Sequence, residues 1–385
     1  MMKKILYTFY LITCLFACKS NEQEDCLVLK ALLEDKGVSF YDLFERMELI
    51  SLETNDNSLI KKIADLHLVN DTLFVFERSL RSLYTFDALT GNHLTTIMKV
   101  GQGPGEYIYI ADVLIDTLEK TIKMLSAIPA SIYTYSYSGQ FIDKIDLPER
   151  PPNAYQKFMD FDNETYLVWA FVDESRYNFG HISFISKQTH QILNNYWEPK
   201  GIEQYYTVFP FWKYKDITYF SMVITNKIYQ ITRDGYQLAY KWDFGKYNID
   251  KYRESKAFEA NDKNRNEKRD KIGEDISTRN DLYYFNRKLE NKTYYYAQIV
   301  FKNNPKTAPH IFYNKETNDY HYFFKTIEGI YFYTCLLKDN YIIGELLLDY
   351  KDELLKSAIL SDKDRKILES MLEDDNPILI KLYLK

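Results

Sequence analysis

The sequence predicts an all-β chain folded as a six-bladed β-propeller, and three observations carry that prediction. There are 35 Tyr and 24 Phe but only 13 Gly and 10 Pro in 385 residues. This balance suits half-buried pleated strands better than an α/β nucleotide binder built on Gly-rich turns. Segments of apolar-aromatic-polar-aromatic pattern recur, each leading through a tight turn into another strand, with starts at Leu83, Ile132, Ile182 and Ile228. Their spacing of about 50 residues is the period of a four-stranded propeller blade. Strand segments such as Leu73–Phe76 are apolar on both faces, as a sheet packed between two neighbouring blades requires.

The chain opens with Lys3-Lys4, an apolar run of 13 residues from Ile5 to Ala17, and Cys18. That run is too short to span a bilayer and has the anatomy of a secretory leader, so residues 1–17 are read as a signal peptide. Leu15-Phe16-Ala17-Cys18 resembles a bacterial lipobox, which implies cleavage before Cys18 and lipidation of its sulfur and new amino group. Two or more acyl chains hold a protein on a membrane durably. Residues 18–46 then read as the lipidated cysteine and a tether beginning Lys19-Ser20-Asn21-Glu22-Gln23-Glu24-Asp25. A basic residue followed by acidic ones after a lipidated cysteine resembles an export signal of one phylum of Gram-negative gut bacteria. It implies an outer-membrane lipoprotein facing the cell surface, with a periplasm-facing placement as the alternative. Cys14 leaves with the leader, so Cys26 and Cys335 remain; they either pair in an oxidising compartment or leave Cys335 a buried, inert thiol.

Residues 47–385 are assigned to the propeller. The first full unit runs through Ile63–Val69, Leu73–Glu77, Leu83–Asp87 and His93–Ile97, with turns at Asn70-Asp71 and Thr90-Gly91-Asn92. Ile132–Ser136 with Phe141–Ile145, Ile182–Ser186, and Ile228–Thr232 with Tyr236–Lys241 mark the next three. The fifth lies around Tyr294–Phe301, His310–Tyr313 and Tyr320–Phe324, and the sixth at Gly329–Leu337 and Tyr341–Leu347. Two segments interrupt the repeat. Residues 250–275 are a charged insertion, expected to be a solvated face whose deletion leaves the propeller folded. Residues 351–373 are a short C-terminal helical segment: Ser361 and Asp364 stand at capping-box spacing, Ile367, Leu368, Met371 and Leu372 form a stripe, and Asp374-Asp375-Asn376-Pro377 stops it. The last strand, Ile378–Leu384, is predicted to close the ring against Met47–Glu53, removing an open edge.

Val100-Gly101-Gln102-Gly103-Pro104-Gly105-Glu106-Tyr107 resembles the G-x-G-P-G-E-Y signature of the six-bladed β-propeller lipoproteins of gut Gram-negative bacteria, related in fold to NHL-type propellers. Ile50-Ser51-Leu52-Glu53 and Asp375-Asn376-Pro377-Ile378-Leu379 are similar to that family's opening and ending. The resemblance implies fold and anchoring, and no catalytic residue comes with it. Gly101, Gly103, Pro104, Gly105, Glu106 and Tyr107 are read as a structural loop motif. The glycines would allow a tight crossing between blades, Glu106 would cap loop amides, and Tyr107 would pack over the glycines. A phosphate cradle is disfavoured because no Lys-Ser/Thr follows and Pro104 lacks an N–H donor.

With 49 Lys+Arg against 55 Asp+Glu and a formal charge of -6, no basic face emerges and a nucleic-acid partner is excluded. The histidines His67, His93, His181, His190, His310 and His321 show no metal-ligand spacing, and neither a nucleophile elbow nor a Cys-His pair occurs. A propeller can nevertheless converge side chains from different blades on its channel, and His67, Asp112 and Asp160 are the candidate channel residues. Asp160-Phe161-Asp162, followed by Asn163, reads as a turn. The aromatic groups Tyr205, Tyr206, Phe209, Phe211, Trp212, Tyr214 and Tyr294–Tyr296 read as inter-blade core rather than as a stacking platform. Function is therefore expected to be that of a lipid-anchored surface module presenting loops to a glycan, a peptide or an outer-membrane partner protein, without a cofactor. The alternative is a lyase or lactone hydrolase using a divalent metal in the central channel.

Overall fold

A computed structural model describes residues 26–148, 155–170, 181–197, 209–222, 224–256, 263–279, 281–301 and 307–385. The expected lipidation site Cys18, with Tyr205 and Tyr206, lies outside them.

Six sheets are present among the described residues. Blade I comprises Asp65–Val69, Thr72–Glu77, Ser82–Asp87 and His93–Ile97. Blade II comprises Tyr109–Asp116, Thr121–Ile128, Ala130–Ser136 and Phe141–Asp146. Blade III comprises Tyr155–Asp160, Thr165–Ala170, Ile182–Ser186 and Ile192–Tyr196. Blade IV comprises Phe211–Tyr214, Ile217–Phe220, Lys227–Thr232 and Gly235–Asp243. Blade V comprises Tyr283–Glu290, Tyr294–Phe301, His310–Asn314 and Tyr320–Phe323. Blade VI joins Phe332–Leu337 and Tyr341–Leu346 to strands from both ends of the domain, Ile378–Leu384 and Phe44–Ser51.

Turn chemistry sets the strand ends. Asp87 Oδ1 accepts the amides of Leu89 and Thr90, Asp116 Oδ1 those of Leu118 and Glu119, and Asn314 Oδ1 those of Glu316 and Thr317. A short polar side chain at the end of a strand thus satisfies the amides that the turn takes out of the ladder. Asp162 does the same for Glu164 and Thr165, the turn role expected of it. Gly91, at φ +78°, is required there, since a Cβ would lie 1.9 Å from the Ser51 carbonyl oxygen.

The blades are held face to face by aromatic and aliphatic layers. Phe74, Phe76 and Ile97 of blade I meet Ile110, Val113 and Ile122 of blade II. Equivalent clusters join blades II and III, III and IV, IV and V, V and VI, and VI and I, so the packing closes into a ring. The second strand of blade III, Thr165–Ala170, is buried throughout, whereas the outer strand of blade II, Phe141–Asp146, is almost wholly exposed. Closure pairs Phe44 with Leu384 and Ser51 with Ile378 in antiparallel register. Asn376 ties the same seam, its Oδ1 accepting from Ile60 N at 2.7 Å and its Nδ2 donating to the carbonyls of Glu53 and Ser58. Ser361 caps the helix Asp362–Ser370 by accepting from Asp364 N, and Asp364 Oδ1 takes Leu49 N of the closing sheet at 2.8 Å.

Two expectations need correction. The tether does not extend to residue 46: Leu27–Lys30 pairs in parallel with Tyr240–Asp243 as a fifth strand on blade IV. The chain then passes blade V, where Leu32 N donates to Tyr320 Oη, and reaches blade VI, where Ser39 and Phe40 bond Glu328. Burial of Leu29, Phe40 and Leu43 fastens this strap. The charged insertion is helical, as Asp250–Ser255 and Arg265–Thr278, but it is not wholly solvated. Ile272 and Ile276 enter the cluster between blades IV and V, and Asp250 accepts from Thr225 Oγ1 and Asn226 N.

Candidate functional site

Inner strands of a propeller face one another across the axis, and here they bring charge together. Asp65 and His67 come from blade I, Asp112 from blade II, Lys157 from blade III and Arg287 from blade V; with Cys335 of blade VI they line a cavity of about 430 Å³. Lys157 Nζ donates to Asp112 Oδ1 at 2.5 Å and lies 3.3 Å from Asp65 Oδ2. Arg287 donates through Nη2 to Asp65 Oδ1 and through Nε to the Thr334 carbonyl, both at 3.1 Å. Asp112 Oδ2 also accepts from Phe158 N at 3.0 Å.

These charges are matched to one another. Burial works against ionisation of Asp65, yet the Lys157 ammonium and the Arg287 guanidinium hold its carboxyl far below the usual range. Burial pushes Asp112 up against the pull of Lys157. Lys157, although desolvated, is kept charged by Asp112 and Asp65. Burial lowers His67, whose Nε2 has no hydrogen-bond partner, so its imidazole is neutral at pH 7. Cys335 is a free thiol pushed up to about 12 by burial, and Cys26 is also free.

Of the three expected channel residues, His67 and Asp112 line the cavity. Asp160 does not. It ends its strand, where the alternation that sends Lys157 and Met159 to the axis turns it toward Lys187 Nζ at 2.5 Å. Lys157, Arg287 and Asp65 were not singled out from the sequence. Their inner strands carry further polar residues, Gln156 and Asp160 beside Lys157 and Asn286, Lys288 and Glu290 beside Arg287, so no local pattern set these charges apart. Among the described residues no three His, Cys, Asp or Glu side chains gather as a metal would require. The channel carboxylates hold Lys157 and Arg287 instead, so the channel does not fit the divalent metal of the alternative reading.

A second, larger cavity of about 900 Å³ opens at the end where the inner strands begin. Phe209, just before blade IV, lines both cavities and separates them. The Arg287 guanidinium sits 3.2 Å from its ring centroid and the Lys157 ammonium 4.9 Å, a stacked cation–π arrangement. Phe209 therefore belongs to the channel rather than to the inter-blade core expected of its neighbours, among which Trp212 is buried. The mouth is walled by the Glu77–Ser82 turn of blade I, by Tyr109 of blade II and by Tyr284 and Asn286 of blade V.

The glycine loop is self-contained. Gly103 N donates to Glu106 Oε2 at 2.8 Å, Gly101 N to the Tyr107 carbonyl, and Tyr135 Oη to the Gly105 carbonyl. Tyr107 is fully buried and its hydroxyl donates to the Arg81 carbonyl at 2.8 Å. The Glu106 carboxylate occupies the position that an anion would take in a phosphate cradle.

The chain is thus a six-bladed propeller with a charge-matched channel and an open mouth. It belongs to the family defined by the domain of unknown function DUF4934, whose model matches residues 27–383. A Bacteroides fragilis protein described as exported is similar in structure, with a TM-score of 0.72 at 16% identity, over 93% of this chain and 99% of that one. A DUF4221 member from Bacteroides vulgatus aligns with a TM-score of 0.53 at 10% identity, over 89% and 97%. At these identities the likeness is one of fold. No protein of curated function matches.

Proposed function

We propose that this protein is an exported binding module, lipid-anchored at Cys18 on the outer membrane and facing the cell surface, as in the NHL-like propeller lipoproteins it resembles. Its mouth receives a glycan, a peptide or a loop of a partner protein. The observation that carries this reading is the contrast between the two cavities. In the channel every charge has a counter-charge in contact, which suits a structural pin. At the mouth, half-buried rings and cations from three blades face an open space within the ~300–1,000 Å³ range of ligand sites. Rigid blades presenting loops at one end are a common platform for recognition.

Thermal unfolding of the purified protein against panels of glycans, peptides and lactones tests this. A ligand at about 100 times its Kd stabilises by about 2.7 kcal/mol. One class should raise the melting temperature, and Tyr284→Ala should abolish that rise; a panel without effect overturns the reading. Cys18→Ala should abolish incorporation of labelled palmitate, and protease treatment of intact cells should remove the domain if it faces outward.

A further inference from the structure

Resting on the mouth as the ligand site, we propose that it selects an acidic sugar, with the anionic group held by Lys62 and Arg81 and the ring laid against Tyr109, Tyr284 and Phe209. The chain as a whole carries a charge of -6, yet the mouth is basic. Lys62, Arg78 and Arg81 line it, and Glu77 is its one lining carboxylate among the described residues. Glu77 is 1% exposed and faces its own turn, Oε1 accepting from Ser79 N and Oγ and Oε2 from Leu80 N. Glu345 is the further carboxylate that interacts with Lys62, and burial raises it toward its neutral form. Below the mouth, Lys157 and Arg287 are balanced by Asp65 and Asp112, so the floor contributes little negative field. Low-dielectric walls of one sign concentrate the opposite charge.

The geometry is preorganised. Arg81 sits at φ +56° in the turn, its Nη1 donates to the Ile108 carbonyl at 2.8 Å, and its own carbonyl accepts the Tyr107 hydroxyl. A guanidinium held this way loses little freedom when it meets a carboxylate or sulfate. Tyr109, Tyr284 and Phe209 are half-buried. They give flat faces of the kind on which a sugar's C–H face stacks, and the tyrosines bring polar edges as well. Clustered cations also capture acidic peptides, but three flat rings set beside them favour a sugar's C–H face over an extended chain.

Titration calorimetry on the full chain decides it, using three trimers: galacturonate, its carboxyl-reduced neutral counterpart, and a sulfated analogue, beside a Glu-rich peptide. The expected result is binding of the uronate or sulfated trimer at least tenfold tighter than the neutral one, weakening with added salt. Lys62→Gln and Arg81→Gln should each weaken it by about tenfold, the loss of one charge-assisted contact. Lys62 is exposed, so its variant carries the test if Arg81→Gln fails to fold. Equal binding of acidic and neutral trimers overturns the charge assignment while leaving the binding module standing, and preference for the peptide overturns the sugar. Binding of none of the four overturns the proposal outright, while a thermal shift with another class would still support the module.

Discussion

Lys157 of blade III places its ammonium 2.5 Å from the Asp112 carboxylate of blade II, with both side chains at 5% exposure or less. Through Asp65 the pair continues to blade I, and through Arg287 to blade V and the Thr334 carbonyl of blade VI. Phe209, just before blade IV, sets its ring under Arg287. Five blades therefore meet in one buried network on the axis, with the segment leading into blade IV laid against it. Removing one partner of such a network strands the other. Asp112→Ala, which also leaves Phe158 N without its acceptor, is expected to cost about 3–5 kcal/mol. Asp112→Leu combined with Lys157→Met should cost less than the sum of the single changes by about 1 kcal/mol or more. Urea denaturation of Asp112→Ala, of the single variants Asp112→Leu and Lys157→Met and of their double variant measures both.

Lys288, next to Arg287 in sequence, has the opposite environment. It is 3% exposed, has no carboxylate partner among the described residues, and lies near the rings of Phe285 and Trp212 at 5.3 and 5.7 Å. Burial pushes its amine down to about 7. Between about pH 7 and the ordinary lysine value near 10.4 the unfolded chain binds the extra proton, so stability should rise with pH across that window. The penalty at pH 7 is on the order of 4 kcal/mol. Lys288→Met should therefore be more stable than the parent at pH 7, with the gain shrinking toward pH 10. Paired urea melts at several pH values test this, and a pH-independent difference would contradict it.

The glycine loop predicts a graded pair. Gly105 has φ +73° and a Cβ there would lie 2.5 Å from Phe141 Cγ, whereas a Cβ at Gly103 would meet only the Glu106 carboxylate at 3.1 Å. Gly105→Ala is expected to cost about 2–4 kcal/mol from backbone strain and overpacking together. Gly103→Ala should cost under about 1 kcal/mol, because the flexible Glu106 can move. Melting temperatures of the two variants should fall in that order.

The repeat was legible because each blade restarts its alternation at a polar turn residue, as at Asp87 and Ser136. The closing strand was legible because Ile378–Leu384 had no other unit to complete. Leu27–Lys30 was not, since four residues beside an acidic tether give no period, and their partner Tyr240–Asp243 is more than 200 residues away. His67 and Asp112 could be placed near the axis by position in the repeat. Lys157 and Arg287 needed the ring itself, because which inner strands face each other depends on blade count and register. Phe209 was hidden among aromatics that do pack between blades.

The insertion separates burial from charge. The helix Arg265–Thr278 is polar along most of its length, and Lys271 pairs with Glu267 on its exposed face, so residues 250–275 read as dispensable from composition. Ile272 and Ile276, at 5% and 1% exposure, nevertheless pack with Phe244, Tyr283 and Phe285 where blades IV and V meet. Ile276→Ala should then cost about 2–4 kcal/mol, the range for a truncated core aliphatic, while Lys271→Ala should stay within about 0.5 kcal/mol. Deleting the segment would uncover that cluster and remove the Asp250 cap on Thr225 and Asn226, so the deletion should lower the melting temperature sharply. A deletion variant that melts like the parent, with Ile276→Ala equally silent, would mean that the helix only rests on the surface of the propeller.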